Sequence, residues 1–425
     1  MATRLAGHVV IAGVGCTRFG DLVSTPGIAG LSLQELAAAA AREALEDAGM
    51  RGHDVGALYA GNATGQSSGL PATHTQLARW VGLNLKPGVR IDAAGSTTNV
   101  AIVMAAEAIA SGAIDSALVL GVEADRSRPK GLSPYEREPI PPDLLRVWTD
   151  QSCDQAYAVP QGHDMIAACN GIVAQGYMRR YSMSAKDYDR AMFEVCRTRR
   201  LHGALNPRAV LQQRLEDEAA EHGFADPFDF WRSSLNPFAS WPARRRSLAT
   251  PADGASAVVL VRGEAARGLP HRSVTLRGFG TAAADVPWYT LDPTNWRHDA
   301  VAIHAAFTMA GITGADIDHL HTDDSSHILG IVAAERTGYL PYGEGLEAAS
   351  AGRLRFDGDK PMSTHGGRHA FGHASSASAG SDTYEAVMQI RGRAGAAQMP
   401  SAPGLSVVAT HGRSLISQVL VLEGN

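Results

Sequence analysis

Short apolar runs bounded by glycine alternate along the chain with longer stretches whose apolar positions recur every three or four residues. That alternation predicts strands connected by helix crossovers in an α/β layer. Residues 9–15 and 55–61 read as buried strands, and an alanine-rich stretch from Leu31 to about Met50 and another at 72–80 read as helices. The order strand, helix, strand, helix, strand, helix, strand runs to about residue 123. Its centre is Asp92-Ala93-Ala94-Gly95-Ser96-Thr97-Thr98-Asn99, which leads into helically spaced apolar residues ended by Gly112. A buried helix is expected to start near Ser96, capped there by a hydroxyl, with a buried strand at 114–121 after it. A helix start at a cleft offers free N–H groups and a positive dipole end to developing negative charge.

Residues 124–250 break the pattern, being proline-rich and charged at first, then helical in spacing at 171–181 and 185–201, then aromatic at 224–241. The strand pattern returns at 253–260. From 274 the alternation restarts, with strands at 274–278, 319–322, 405–410 and 417–423 and helices at 300–310, 329–337 and 381–391. Two halves with one pattern imply a duplicated α/β fold. The expected divisions are an N-terminal half at 1–123, an inserted loop domain at 124–250, a return strand of the first half at 251–272 and a C-terminal half at 273–425.

With 45% hydrophobic and 19% charged residues the chain is ordinary for a globular protein, and 425 residues suffice for more than one core. A net charge of −5 without a dominant basic patch gives no reason to expect nucleic acid. No apolar run approaches the roughly 18 residues of a membrane span, and the first residues carry no signal pattern, so a cytoplasmic location is expected. Cys16, Cys153, Cys169 and Cys196 lie far apart without a Cys-x-x-Cys pair, which suggests neither a zinc site nor a disulfide framework.

The segment 92–121 resembles the nucleophile helix of the thiolase superfamily. Further segments resemble its sterol-carrier-type branch: Tyr177-Met-Arg-Arg-Tyr181 with His202-Gly-Ala-Leu-Asn-Pro207, then Asn236-Pro237, Pro242-x-Arg244 and Asp253-Gly-Ala255, and finally Gly366-Gly367 with Gly372-His373-Ala374. The resemblance implies a duplicated thiolase fold of two βαβαβαββ halves in five α/β/α/β/α layers, with an inserted loop domain. It also implies an acyl-CoA substrate, with coenzyme A arriving as part of that substrate and no other cofactor, and a homodimer. Some members of the branch work with a small zinc-containing OB-fold partner. Aligned without gaps through Ala108-Ile-Ala-Ser-Gly112, the family's nucleophilic cysteine falls on Gly95. Its His-Asp-Cys-Phe motif falls on Asp323-Asp324-Ser325-Ser326, so both sulfurs are replaced, whereas the Gly-His histidine is kept as His373. Thr410-His411-Gly412-Arg413 stands where the last motif contributes a backbone N–H.

These positions define the candidate chemistry. His373 can exchange protons near neutral pH, or it can be a hydrogen-bonded turn histidine. Ser96 is either a nucleophile, which would need an adjacent base, or a helix cap. Asp323 and Asp324 either supply a carboxylate base, with one pKa raised by the other, or form a strand-end turn. The N–H of Gly95 or Ser96 together with that of Gly412 can form an oxyanion hole. Arg244, with Arg245 and Arg246, either receives the coenzyme's phosphates or faces solvent. Gly372, His411 and Ser325 belong to the expected substrate surface. His321, His327, His365, His369 and His411 with Asp323 have a metal-site composition, but their spacing fits no recognised ligand pattern and no metal is expected. Tyr289, Tyr339 and Tyr342 are candidate acids, and Phe228, Phe230, Trp231 and Trp288-Tyr289 candidate walls of a bulky pocket. The expected activity is Claisen- or aldol-type carbon–carbon bond chemistry on an acyl-CoA without an acyl-cysteine. The alternatives are a non-catalytic subunit of a complex and an acyltransferase or hydrolase using Ser96.

Overall fold

The computed structural model describes residues 9–62, 72–124, 126–127, 165–284, 292–412 and 416–425. Cys153, Trp288, Tyr289 and Arg413 lie outside the described residues. The first half is β1 (Val9–Cys16), α1 (Leu33–Asp47), β2 (Ala57–Gly61), α2 (Thr73–Trp80), β3 (Gly88–Ile91), α3 (Thr97–Ala110) and β4 (Ser116–Ala124). A helical insertion follows: α4 (Met165–Arg180), α5 (Ala185–Leu205), α6 (Leu215–Glu221) and α7 (Pro227–Arg232), then a small hairpin of β5 (Phe238–Ser240) and β6 (Ala243–Arg244). After β7 (Asp253–Arg262), the second half runs β8 (Val274–Ala283), α8 (Arg297–Ala310), β9 (His319–Thr322), α9 (His327–Arg336), α10 (Gly345–Ser350), α11 (Gly367–Ala370), α12 (Ser375–Ile390), β10 (Leu405–Gly412) and β11 (Ile416–Gly424).

The sheet order, β3-β2-β4-β7-β1-β8-β11-β10-β9, is the same motif read outward twice. In the first half β2 runs parallel to β4, β4 antiparallel to β7, and β7 antiparallel to β1. In the second, β9 runs parallel to β10, β10 antiparallel to β11, and β11 antiparallel to β8. A single parallel bridge from Leu320 to Met362 occupies the place that β3 holds in the first half. The halves meet along β1 and β8 through only two register pairs, Val10 with Thr275 and Ile11 with Val274.

What joins the halves is a central layer in which α3 and α12 pack together, with one sheet half on either side; α1 covers the outer face of the first and α8 that of the second. The central core draws Ile102 and Ile109 from α3, Val387 and Ile390 from α12, and Leu260, Val274, Val408 and Leu420 from the strands. Helix α12 starts six residues earlier than the sequence pattern predicts, because Ser375 to Ser381 looks like a polar turn. The reason is close approach. Thr98 Oγ1 donates to the Ser376 carbonyl at 2.5 Å, Ser256 Oγ to the Ala377 carbonyl at 2.8 Å, and Thr383 Oγ1 to Asn99 Oδ1 at 2.9 Å. Short hydroxyl side chains satisfy buried donors while letting backbones come near, so polarity here marks contact rather than exposure.

Of the aromatic residues expected as pocket walls, Phe230 and Trp231 are core and Phe228 packs against it partly buried, while Trp288 and Tyr289 lie outside the described residues. Phe230 and Trp231 are fully buried, and Phe193 packs on Phe228 and Trp231 with ring centroids 5.2 and 6.1 Å away. Among the described residues no helix is long and apolar enough to cross a membrane.

A β-carbon on Gly380 would fall 2.8 Å from both Ser256 Cβ and Thr98 Cγ2, whereas Gly268 has open space around it. Gly380→Val is therefore expected to lower unfolding free energy by about 1–3 kcal/mol, an ordinary overpacking penalty. Urea titration beside Gly268→Ala as control checks this; equal stabilities of the two variants would contradict the packing argument.

Candidate active site

The turn before α3 is a single 3-10 turn over Ala94 to Ser96, with Ala94 in the left-handed region at φ 49°. Such a conformation is uncommon for a residue with a β-carbon and is characteristic of over-determined turns at functional sites. The expected Ser96 cap is not formed. Thr97 fastens the turn instead, its Oγ1 accepting the Ala93 N–H at 2.8 Å and donating to the Ala94 carbonyl at 2.6 Å. The Ser96 hydroxyl is fully buried and has no hydrogen-bond partner among the described residues, so none of them stands beside it as a base.

Three segments converge on Gly95. A β-carbon there would lie 3.1 Å from the His411 carbonyl oxygen, 3.2 Å from Asp323 Oδ2 and 4.0 Å from His373 Cε1. Asp323 follows the end of β9; its N–H donates to the Ala409 carbonyl at 3.0 Å, and its Oδ1 accepts the Ser325 N–H at 3.0 Å. His373 is pinned through its backbone, donating to the Thr250 carbonyl at 2.8 Å and accepting from the Ala252 N–H at 2.9 Å. Gly372 is needed for the turn: its φ is 116°, and a β-carbon would meet Val210 Cγ2 at 2.7 Å and the Ala252 β-carbon at 3.0 Å. Its α-carbon is packed against protein, and its part in the cleft is to deliver His373.

Several expected site residues stand elsewhere. Asp324 points away from its neighbour and is fully buried, accepting from Arg199 Nε at 2.7 Å and from the Arg368 N–H at 2.7 Å. The two adjacent acids therefore do not share one site. The Arg244 guanidinium is 8% exposed and engaged, holding Asp189 through Nε at 2.8 Å and Nη2 at 3.2 Å and donating to the Asn236 carbonyl from Nη1. Those donors are already used by the insertion itself, which leaves no free fork for a phosphate. The His411 imidazole faces the outer layer, its Nδ1 3.2 Å from Asp299; only its backbone borders Gly95. Ser325 contributes its N–H to Asp323. Tyr339 is buried and donates to the Pro361 carbonyl at 3.0 Å, while Tyr342 is 58% exposed.

The histidines divide into three groups. His321 and His365 flank Asp382 on α12, with Nδ1 and Nε2 at 3.4 and 3.2 Å from its Oδ1, and these three residues could surround a metal ion. Two observations favour a different occupant. Arg368 already grips both Asp382 oxygens, at 2.9 and 2.6 Å, and His365 Nδ1 accepts the Gly367 N–H at 3.2 Å, which leaves the proton of a neutral ring on the Nε2 facing Asp382. The arginine supplies the positive charge. Although burial opposes it, the Arg368 charge holds the Asp382 carboxyl well below the usual range. In the second group, the His327 and His369 rings pack edge to face 5.3 Å apart, and Cys196 Sγ lies 3.7 Å from His369 Nε2. Burial pushes the Cys196 thiol up to about 12, so this is a neutral contact rather than a thiolate pair. His411 with Asp299 is the third group.

Asp299, Arg336, Arg368, Asp382 and Arg199 were not singled out from the sequence. Each is a buried charge whose partner lies at least 14 residues away, as between Arg368 and Asp382, or far more, 125 between Arg199 and Asp324. The one legible signal is a charged residue among the small residues of a buried helix, as with Asp382.

Two α/β halves of matching strand order, with a cleft at the start of one of two packed central helices, define a duplicated five-layer α/β enzyme. The chain belongs to the thiolase superfamily: residues 9–190 match the thiolase N-terminal domain and residues 290–424 the thiolase C-terminal domain-like family. It is 28% identical over 399 residues to an acetyl-CoA acetyltransferase of Methanothermobacter thermautotrophicus, covering 93% of this chain and 94% of the relative. It is 25% identical to a steroid side-chain-cleaving aldolase of Thermomonospora curvata, covering 86% of each chain. Among solved structures, the Ltp2-ChsH2(DUF35) aldolase superposes with a TM-score of 0.78 at 22% identity, over 99% of this chain and 98% of that one.

Two predictions follow from the buried charges. Asp324→Ala leaves the Arg199 guanidinium without its carboxylate and is expected to lower stability by about 3–5 kcal/mol, measured by denaturant unfolding; a neutral effect would mean the pair is not buried. Burial lowers His202 to about 3 and His369 and His411 to about 4. Because these rings bind protons in the unfolded chain first, their contribution is complete above pH 6.5 and is lost as pH falls from 6.5 toward 4. Each adds a slope of up to ~1.4 kcal/mol per pH unit in that window, and unfolding curves between pH 7.5 and 4.5 should fall steeply; a flat profile would refute neutral burial.

Proposed function

We propose that the chain makes or breaks a carbon–carbon bond next to an acyl-CoA thioester, by aldol- or Claisen-type chemistry without an acyl-cysteine. The observation that carries this reading is the convergence of Asp323 and His373 on Gly95, where the family resemblance puts the nucleophile. In the cleavage direction Asp323 takes the proton of a β-hydroxyl, the bond between Cα and Cβ breaks, and its electron pair passes to the thioester enolate as the carbonyl product departs. The proton then returns to Cα, which balances the step. The Ser96 N–H is used inside the turn, on the Ala93 carbonyl at 3.1 Å, so the N–H of Gly95 and that of Gly412 serve as donors to the enolate oxygen, and preorganised donors of this kind are often the largest single contribution. His373 donates to the second carbonyl oxygen. Relatives named for acetyl transfer and for side-chain cleavage support this range of chemistry.

Among the described residues no base hydrogen-bonds the Ser96 hydroxyl, which speaks against a serine nucleophile. For the coenzyme's phosphates Arg245 is a better candidate than Arg244, being exposed and without a described ion pair. A homodimer is supported by β3, an edge strand with no described neighbour on its outer side, and by exposed Val89, Trp80 and Met104 around it. A small zinc-containing OB-fold partner is a further proposal, in keeping with the name of the superposed structure, Ltp2-ChsH2(DUF35) aldolase.

The test is turnover of a panel of acyl-CoA thioesters, with candidate partners present, followed by intact-protein mass spectrometry. Asp323→Asn and His373→Ala are each expected to lower kcat by about 10²–10⁴-fold with the fold intact, and no acyl adduct should form on the native chain. An adduct that disappears in Ser96→Ala would overturn the non-covalent mechanism. Neither turnover nor adduct under any condition would favour the non-catalytic subunit.

A further inference from the structure

The strongest unassigned feature is a buried polar cluster on the far face of the second half. Asp299, in the first turn of α8, is 2% exposed and draws together three other elements. Its carboxylate accepts from Arg336 Nη1 on α9 and from the Ser417 hydroxyl on β11, and it lies 3.2 Å from His411 Nδ1 on β10. Arg336 is held in turn: Nε donates to the Thr294 carbonyl at 3.1 Å, and the guanidinium lies 4.4 Å from the centre of the Trp296 ring. The His411 ring meets Trp296 edge-on at 5.5 Å. The cavity lined by Asp299, Arg336, Thr410, His411 and Ser417 is about 10 Å³, room for no more than one water, so the cluster has little slack.

None of these side chains borders the cleft, yet two of them belong to the hairpin that does. His411 pairs with Ser417 and Gly412 with Ile416 in the β10–β11 register, and the His411 carbonyl lies 3.1 Å from the β-carbon position of Gly95. We propose that Asp299 is a positioning residue that clamps both strands of this hairpin from behind and so keeps the Gly412 N–H aimed at the substrate's carbonyl oxygen. The catalytic part of this inference rests on the acyl-thioester reading above. The clamp has a physical logic: small angular errors in a hydrogen-bond donor weaken it steeply, and a donor at the end of a hairpin holds its angle only if both strands are fixed. A carboxylate that binds a cation on one helix and the hydroxyl of one strand, with the paired residue's ring on the other strand packed 3.2 Å away, restrains both at once.

The test uses the full chain, with its partner if one is required, and compares Asp299→Asn and Ser417→Ala with the native protein. Deuterium exchange read by mass spectrometry should speed up by about 10-fold or more in the peptide covering β10 and β11 while β1 and β7 keep their protection. In turnover, Asp299→Asn should lose about 10- to 100-fold in kcat. Its KM, and its affinity for a CoA thioether that lacks the carbonyl, should stay within about twofold, because that analogue never uses the Gly412 donor. A folded Asp299→Asn with native kcat, or one losing thioether affinity in step with kcat, overturns the proposal. Should that variant fail to fold, Ser417→Ala decides, with a smaller loss of the same pattern expected and unchanged kcat overturning it. If the native chain turns over no acyl-CoA, the acyl-thioester reading is what fails, and hairpin exchange alone decides the clamp: unchanged exchange in both variants overturns it.

Discussion

The close packing of α3 against α12 between the two halves of the sheet is the constraint on which the rest depends. Both helices begin with a left-handed residue that carries a β-carbon, Ala94 before α3 and Ser375 at the start of α12, at φ 49° and 30°. The corresponding places in the two halves therefore hold the same kind of sharp entry, one leading from Gly95 and the other from His373. Because the helices are locked by Thr98 to Ser376 and Asn99 to Thr383 contacts, the distance between those entries is set by the core and not by loops. A cleft whose two principal groups are fixed in this way needs little reorganisation when charge develops in it, which is the condition under which fixed dipoles act most strongly.

Around that cleft, neighbouring residues have opposite fates for electrostatic reasons. Asp323 and Asp324 are adjacent, but the extended backbone sends their side chains to opposite sides. One side holds Arg199 and the Arg368 N–H, which give Asp324 a cation and a donor; the other faces Gly95. Three of the buried carboxylates are compensated by arginine: Arg199 for Asp324, Arg368 for Asp382, Arg336 for Asp299. Beside these pairs, burial lowers the pKa of His321 and His411 below the ordinary imidazole value, which suits rings that fill space.

Much of this was legible in the sequence because the fold depends on local pattern. The strand at 319–322 and the repeated alternation follow from apolar runs and glycine punctuation, and the place of Gly95 and His373 follows from motif resemblance. What was not legible is long-range pairing. Arg244 reads as a phosphate ligand until Asp189, 55 residues upstream, is seen to occupy it. His411 reads as a cleft residue because its backbone is one, while strand alternation sends its ring to the opposite face of the sheet. The expected helix at 381–391 leaves out 375–380, because the same short polar residues serve turns and tight helix contacts, and only the partner helix distinguishes the two.

The glycine at position 95, where the resemblance implies the family's nucleophile, is best understood together with what occupies the space. With a β-carbon there at 3.2 Å from Asp323 Oδ2, a cysteine and this carboxylate could not both keep their present positions without displacement. A thiolate beside a carboxylate would also be disfavoured, since like charges raise one another's pKa. Gly95 and Asp323 are thus mutually dependent: removing the side chain opens room for the carboxylate, and the carboxylate makes a return to an ionised cysteine costly. On the proposed reading the site is a rebuilt one, in which a carboxylate and backbone donors stand where the resemblance puts a nucleophile, rather than a thiolase site that has merely lost a part.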